Sequence, residues 1–334
     1  MKFTDIQGNA DVVKALEGMV DSDRIPHAIM LHEDDGGGAV PIAHAFLQYL
    51  YCQHKANGDS CGECPSCNKI SKLIHPDVRY IFPVNSGTSA DWLAQWRELV
   101  IQKPYFRESE LGEALGIEGK NSMIKVDEAK GVLDTLAFSA LERGYRTVVV
   151  YLPEKMNREA ANRLLKSIEE PPALTEFILI THDPDKVLPT IKSRCLRIRI
   201  APPDGRIASG VEPEFEVLLE QWLGALSSKD LLSALDTADA IAALPSREKA
   251  AGFCSYAATR LRYVFLYQQK LDNLARVPAE EESVLRTWAA ALPKAFVRKA
   301  SEALGESRSM IEHNVSVKIV FTDLTDKLYI FATR

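Results

Sequence analysis

Thr147-Val148-Val149-Val150-Tyr151-Leu152 is β-branched and apolar at almost every position. A run without polar alternation suits a strand covered on both faces, as in a parallel sheet. Working outward, Asn157 opens a helical pattern that runs to Glu170, where Pro171-Pro172 stops it. Phe177-Ile178-Leu179-Ile180-Thr181 is a second run of the buried type, followed by the turn His182-Asp183-Pro184-Asp185. Upstream, His27-Ala28-Ile29-Met30-Leu31 ends in an acidic, glycine-rich turn, and Ile42 to Tyr51 follows as a helix. Leu196 to Ile200 alternates apolar and basic residues, the pattern of an edge strand. Strands and helices in this alternation predict a doubly wound α/β domain over residues 1–202.

Beyond it the character changes. Residues 203–213 are rich in Pro, Gly and small residues and read as a linker. Residues 214–334 carry apolar residues at three-to-four spacing, notably in Glu216–Leu226, Leu231–Ala243, Lys249–Lys270 and Val284–Leu304. The expectation is a second, all-helical domain. The length of 334 residues agrees with two domains. The net charge of −6 argues against a protein that grips nucleic acid by bulk charge, because phosphate binding needs clustered Lys and Arg. No apolar run approaches the ~20 residues of a membrane span, and no secretory pattern opens the chain, so a cytoplasmic protein is expected.

Cys52, Cys61, Cys64 and Cys67 have the spacing Cys-x8-Cys-x2-Cys-x2-Cys. Four thiolates close a tetrahedral shell around zinc and leave no open position, which points to a structural ion. Four cysteines this close argue against scattered buried thiols. A redox pair is disfavoured, because the motif is not at a thioredoxin-type strand-to-helix junction. Lone Cys254 reads as a small buried hydrophobe.

The turn at 33–40 stands where a phosphate loop, G-x-x-x-x-G-K-[ST], would sit. Here the window is Glu33-Asp34-Asp35-Gly36-Gly37-Gly38-Ala39-Val40. Only the second glycine, Gly38, is kept. Ala39 replaces the lysine and Val40 the hydroxyl that would hold magnesium. Glu33, Asp34 and Asp35 place three carboxylates where an anion would lie. One carboxylate about 4 Å from a phosphate costs roughly 4 kcal/mol at an effective dielectric of ~20, against ~1 kcal/mol from a helix N-terminus. No ATP binding is expected. The strand at 147–152 likewise runs into Pro153-Glu154 in place of the paired acidic residues of an ATPase.

Several segments in order resemble one family. Phe3-Thr4-Asp5-Ile6-Gln7-Gly8-Asn9 is similar to the opening box of AAA+ clamp-loader subunits, and Arg24-Ile25-Pro26-His27-Ala28 to their lead into the phosphate loop. The cysteine spacing, followed by His75-Pro76-Asp77, resembles the zinc module of the bacterial clamp loader. Ala160-Ala161-Asn162-Arg163-Leu164-Leu165-Lys166-Ser167-Ile168-Glu169-Glu170-Pro171-Pro172 resembles the family's A-A-N-x-L-L-K-x-x-E-E-P-P helix, and Ser193-Arg194-Cys195 its S-R-C motif.

The resemblance implies an AAA+ P-loop-type sheet with a zinc module, followed by a helical collar. It implies Cys52, Cys61, Cys64 and Cys67 as zinc ligands. Arg194 becomes an arginine finger projecting into the ATP site of a neighbour, with Ser193 and Cys195 supporting it; without the resemblance, Arg194 reads as half of a surface ion pair. The Thr181-His182 turn stands where the family senses γ-phosphate, and without a nucleotide its role is structural. Lost phosphate-loop chemistry beside a retained S-R-C implies a non-hydrolysing subunit of the DNA polymerase III clamp loader. Its implied partners are gamma/tau and delta subunits and, through the complex, the sliding clamp and primer–template DNA. Two alternatives stay open: an ATP-hydrolysing gamma/tau-type subunit, against which Ala39 and Val40 speak, and a zinc-module nucleic-acid binder. The family's small helical lid has no room in residues 203–213, so the lid is expected to be missing or truncated.

Overall fold

The computed structural model describes residues 1–117, 122–136, 138, 140–142, 144–201, 213–275, 277 and 279–333. The chain divides into two compact units, Met1–Pro203 and Asp204–Arg334. Except for Pro213, the expected linker lies outside the described residues.

The first unit runs α1 (Ala10–Asp21), β1 (Ala28–His32), α2 (Ala39–Tyr51), α3 (Pro65–Ser71), β2 (Val78–Ile81), α4 (Leu93–Gln102), α5 (Glu108–Ala114) and α6 (Val126–Leu136). It continues with β3 (Arg146–Tyr151), α7 (Arg158–Glu169), β4 (Thr175–Thr181), the single turn α8 (Pro189–Lys192) and β5 (Leu196–Arg199). The five strands form one sheet in the order β2-β3-β4-β1-β5, and every neighbouring pair is parallel. Central β4 is buried at all seven positions, whereas β5 stands at the sheet edge, as expected, and is mostly exposed, the apolar Leu196 included.

Successive strand residues face opposite sides, and both sides are covered. Ile29, Leu31, Val149, Tyr151, Ile178 and Ile180 pack with Leu16 of α1, Phe46 of α2, Trp96 of α4 and Leu111 of α5. Met30, Val148, Val150, Phe177 and Leu179 pack with Val132 of α6, Leu164 of α7 and Ile191 of α8. This double cover is why β1, β3 and β4 are apolar without alternation. The result is the doubly wound α/β architecture that the alternation of strands and helices predicts.

The second unit holds α9 (Pro213–Ser227), α10 (Leu231–Ala242), α11 (Arg247–Gln268), α12 (Ala279–Ala291), α13 (Lys294–Glu312) and α14 (Val317–Thr333). Its core centres on Trp222, Phe253, Phe296 and Phe321. The apolar spacing over Val284–Leu304 is shared by two helices: Pro293 stands as the N-cap of α13 and separates it from α12. Proline cannot continue the helix in which its N–H would be needed, and it holds the preceding residue out of the helical region. Cys254 is buried in this core, where burial pushes its thiol up to about 12. Among the described residues, no helix is long and apolar enough to cross a membrane.

Candidate metal centre, phosphate-loop turn and exposed arginine

The ligand atoms of Cys52, Cys61, Cys64 and Cys67 all lie within 4.8 Å of one another. Local structure explains the convergence. Cys52 is the C-cap of α2 and Cys64 the N-cap of α3, whose Pro65 occupies the first helical position. Gly62, at φ +81, makes the turn between Cys61 and Cys64. Backbone N–H groups of Glu63 and Cys64 donate to the Cys61 Sγ at 3.5 and 3.3 Å, pulling that thiol down to about 6. Burial pushes Cys67 the other way. Four sulfurs at one point, with three of the cysteines buried, could hold a single metal ion. An ion there would join the end of α2 to the start of α3. The Asp59 carboxylate fastens the chain start to the same module, accepting N–H bonds from Phe3 at 3.1 Å and Thr4 at 3.0 Å.

The turn between β1 and α2 departs from the expected crowd of three charges. Asp34 reaches out to Arg199 at 2.8 Å, and Asp35 accepts the Glu108 amide at 2.8 Å. Glu33 turns inward and is 3% exposed. The amide of Ala39, the first residue of α2, donates to the Glu33 Oε2 at 2.6 Å. Burial raises the Glu33 carboxyl to about 8, so it is mostly uncharged at neutral pH. The side chain therefore fills the seat at the helix N-terminus by its volume and its hydrogen bond, where the sequence suggested repulsion. Glycine is required opposite it: a Cβ on Gly37 would lie 2.3 Å from that Oε2. Gly38 caps α2 without a side chain, while Ala39 and Val40 are buried in its first turn.

Across the sheet, Leu152 adopts φ 57, a left-handed conformation that costs an L-residue about 1–2 kcal/mol. Its amide is held by the Ile180 carbonyl at 2.8 Å and its side chain is fully buried. The bend aims Glu154 at the turn after β4. Its carboxylate accepts from the Thr181 hydroxyl at 2.7 Å and from the amides of His182 and Asp183 at 2.9 and 3.3 Å. Glu154 thus braces the turn that leads into α8. The His182 ring lies between that turn and the loop, 3.9 Å from Glu33 and 3.6 Å from Asp35.

Ser193, Arg194 and Cys195 follow α8. The Arg194 side chain is 38% exposed. Its Nη1 donates to the Thr190 carbonyl at 2.9 Å and to the Ser193 Oγ at 3.2 Å. Its Nη2 lies 2.7 Å from Oε1 of Glu169, the last residue of α7. Cys195 does not touch the guanidinium by any contact of this kind; its thiol donates to the Ile191 carbonyl at 3.2 Å, and burial pushes it up to about 11. Glu169 lies in the segment that resembles the family's A-A-N-x-L-L-K-x-x-E-E-P-P helix, and that resemblance assigns it no role. The signal was its position, since a carboxylate at a helix C-terminus opposes the helix dipole.

Residues 8–204 match the family described as "DNA polymerase III, delta subunit". The chain belongs to that family. This delta-family chain is 33% identical to DNA polymerase III subunit delta' of Yersinia pestis over 196 residues, 58% of this chain and 47% of that protein. It is 31% identical to subunit delta' of Pseudomonas aeruginosa over 183 residues, 55% of this chain and 45% of that one. Subunit gamma of Buchnera aphidicola is 28% identical over 198 residues, 59% of this chain and 45% of its own. The chain spans about half the length of the curated relatives it matches. With the delta' relatives, the delta-family chain is delta-prime-like.

Proposed function

We propose that this chain is a non-hydrolysing, delta-prime-type subunit of the DNA polymerase III clamp loader, working in the cytoplasm. It binds no ATP of its own and supplies Arg194 as an arginine finger to the ATP site of a gamma/tau-type neighbour. The observation that carries this reading is the Glu33 carboxyl on the Ala39 amide, in the seat a phosphate would use, with no lysine at 39 and no hydroxyl at 40. Arg194 is exposed, and a planar guanidinium can stabilise charge developing on a γ-phosphate. Ser193 supports it by accepting from Nη1. Cys195 supports it indirectly, by tying the backbone after the arginine to α8.

Zinc is the ion proposed for Cys52, Cys61, Cys64 and Cys67, in a structural role. Residues 214–334 are proposed as the collar that pairs with gamma/tau and delta subunits. The clamp and primer–template DNA are reached through the assembled complex.

Nucleotide binding by the isolated chain is the test. Titration with fluorescent ATP analogues should give no saturable binding. Saturable binding that magnesium strengthens would replace this reading with the ATP-hydrolysing one.

A further inference from the structure

Arg194 is both half of a surface ion pair and, on the reading above, a group that must reach a neighbour's phosphate. We propose that these are two states of one device, in which Glu169 is a positioning residue that holds the guanidinium back until a γ-phosphate takes its place. The inference rests on the arginine-finger reading and adds a residue to it.

Two edges of the guanidinium are held differently. Nη1 is fixed by neutral acceptors on its own turn, the Thr190 carbonyl and the Ser193 hydroxyl. Nη2 is held by a charged group on another element, Glu169 at 2.7 Å. The neutral contacts can persist while the charged one is exchanged, because the pair is a single Nη2–Oε1 contact whose place one phosphate oxygen can take. The two anions cannot share Nη2 at close range without like-charge repulsion. Binding the phosphate at Nη2 therefore favours release of Glu169.

Glu169 is also a specific choice at this place. It is the last residue of α7, where the helix dipole disfavours a negative charge. Arg194 is the cation that offsets this. Pro171 and Pro172 fix where the helix stops, and Ile168 is anchored in the core beneath the sheet, so Glu169 is presented at a constant position. Both partners are partly exposed, at 38% and 37%. An ion pair of this exposure is weak enough to exchange.

The test uses the reconstituted complex with gamma/tau-type and delta subunits, assayed for ATP hydrolysis without clamp or DNA. Glu169→Gln keeps the shape and removes the charge. Its kcat should rise about two- to fivefold with KM for ATP unchanged, the range an exposed ion pair supplies. In an Arg194→Ala background the same change should have no effect, which a merely structural role of Glu169 would not produce. No rise in kcat for Glu169→Gln, with Arg194→Ala still depressing hydrolysis, overturns the latch and leaves the finger standing. An equal effect in both backgrounds also overturns it. If Arg194→Ala itself changes nothing, the finger reading fails and the latch falls with it.

Discussion

The Ala39 amide donates to the buried Glu33 carboxyl at 2.6 Å, so the first turn of α2 is capped by a side chain from its own loop. Ordinary caps come from the residue just before the helix. Here that residue is Gly38, which has no side-chain acceptor, and Glu33 reaches across the turn instead.

Stability should depend on pH through this residue. Burial raises the Glu33 carboxyl from 4.5 to about 8. A group raised on folding stabilises fully below its unfolded value and loses that contribution as pH rises through its folded value. The loss falls between 4.5 and about 8, at up to about 1.4 kcal/mol per pH unit. Glu176 adds to the same slope, because its buried carboxyl has no hydrogen-bond partner and is also raised. Comparison with Glu33→Gln isolates the first effect. That variant still accepts from Ala39 and does not titrate. Denaturant unfolding at about pH 5 and about pH 8 should show the wild type losing more stability than the variant. Parallel profiles would count against a buried, proton-binding Glu33.

A metal in the cysteine cluster predicts a stoichiometry and a penalty. Elemental analysis should find one zinc per chain. Cys67→Ser removes the most buried ligand and should lower Tm by at least about 5 °C, consistent with a loss above 1 kcal/mol. Metal-free, reduced protein that melts with the native form would remove the metal from the account.

The helical unit carries an independent check of its core. The Trp222 indole N–H donates to the Thr325 hydroxyl at 3.1 Å, and both residues are fully buried. Thr325→Val keeps the shape but orphans the indole donor, at an expected cost of about 1–3 kcal/mol in equilibrium unfolding. A change below about 0.5 kcal/mol would mean that the donor finds another acceptor.

Strands β1, β3 and β4 were legible because burial on both faces writes an unbroken apolar run. Strand β2, Val78-Arg79-Tyr80-Ile81, was not, because a four-residue edge strand with a half-buried arginine has no such signature. Pro293 was visible, yet the apolar spacing on either side concealed the helix break it makes. The cysteine spacing foretold a cluster because its members are close in sequence. The charge state of Glu33 was illegible, since it depends on how deeply the loop folds inward. The Arg194–Glu169 contact joins residues 25 positions apart through the packing of α7 and α8, which no local pattern encodes.

On the proposed function, Arg194 acts in trans. Its most direct test is ATP hydrolysis by the complex reconstituted with gamma/tau-type and delta subunits, stimulated by clamp and primed DNA. The Arg194→Ala complex should assemble normally, since the side chain is exposed, and its stimulated kcat should fall about tenfold or more at the affected site. Full stimulated hydrolysis by the Arg194→Ala complex would contradict it.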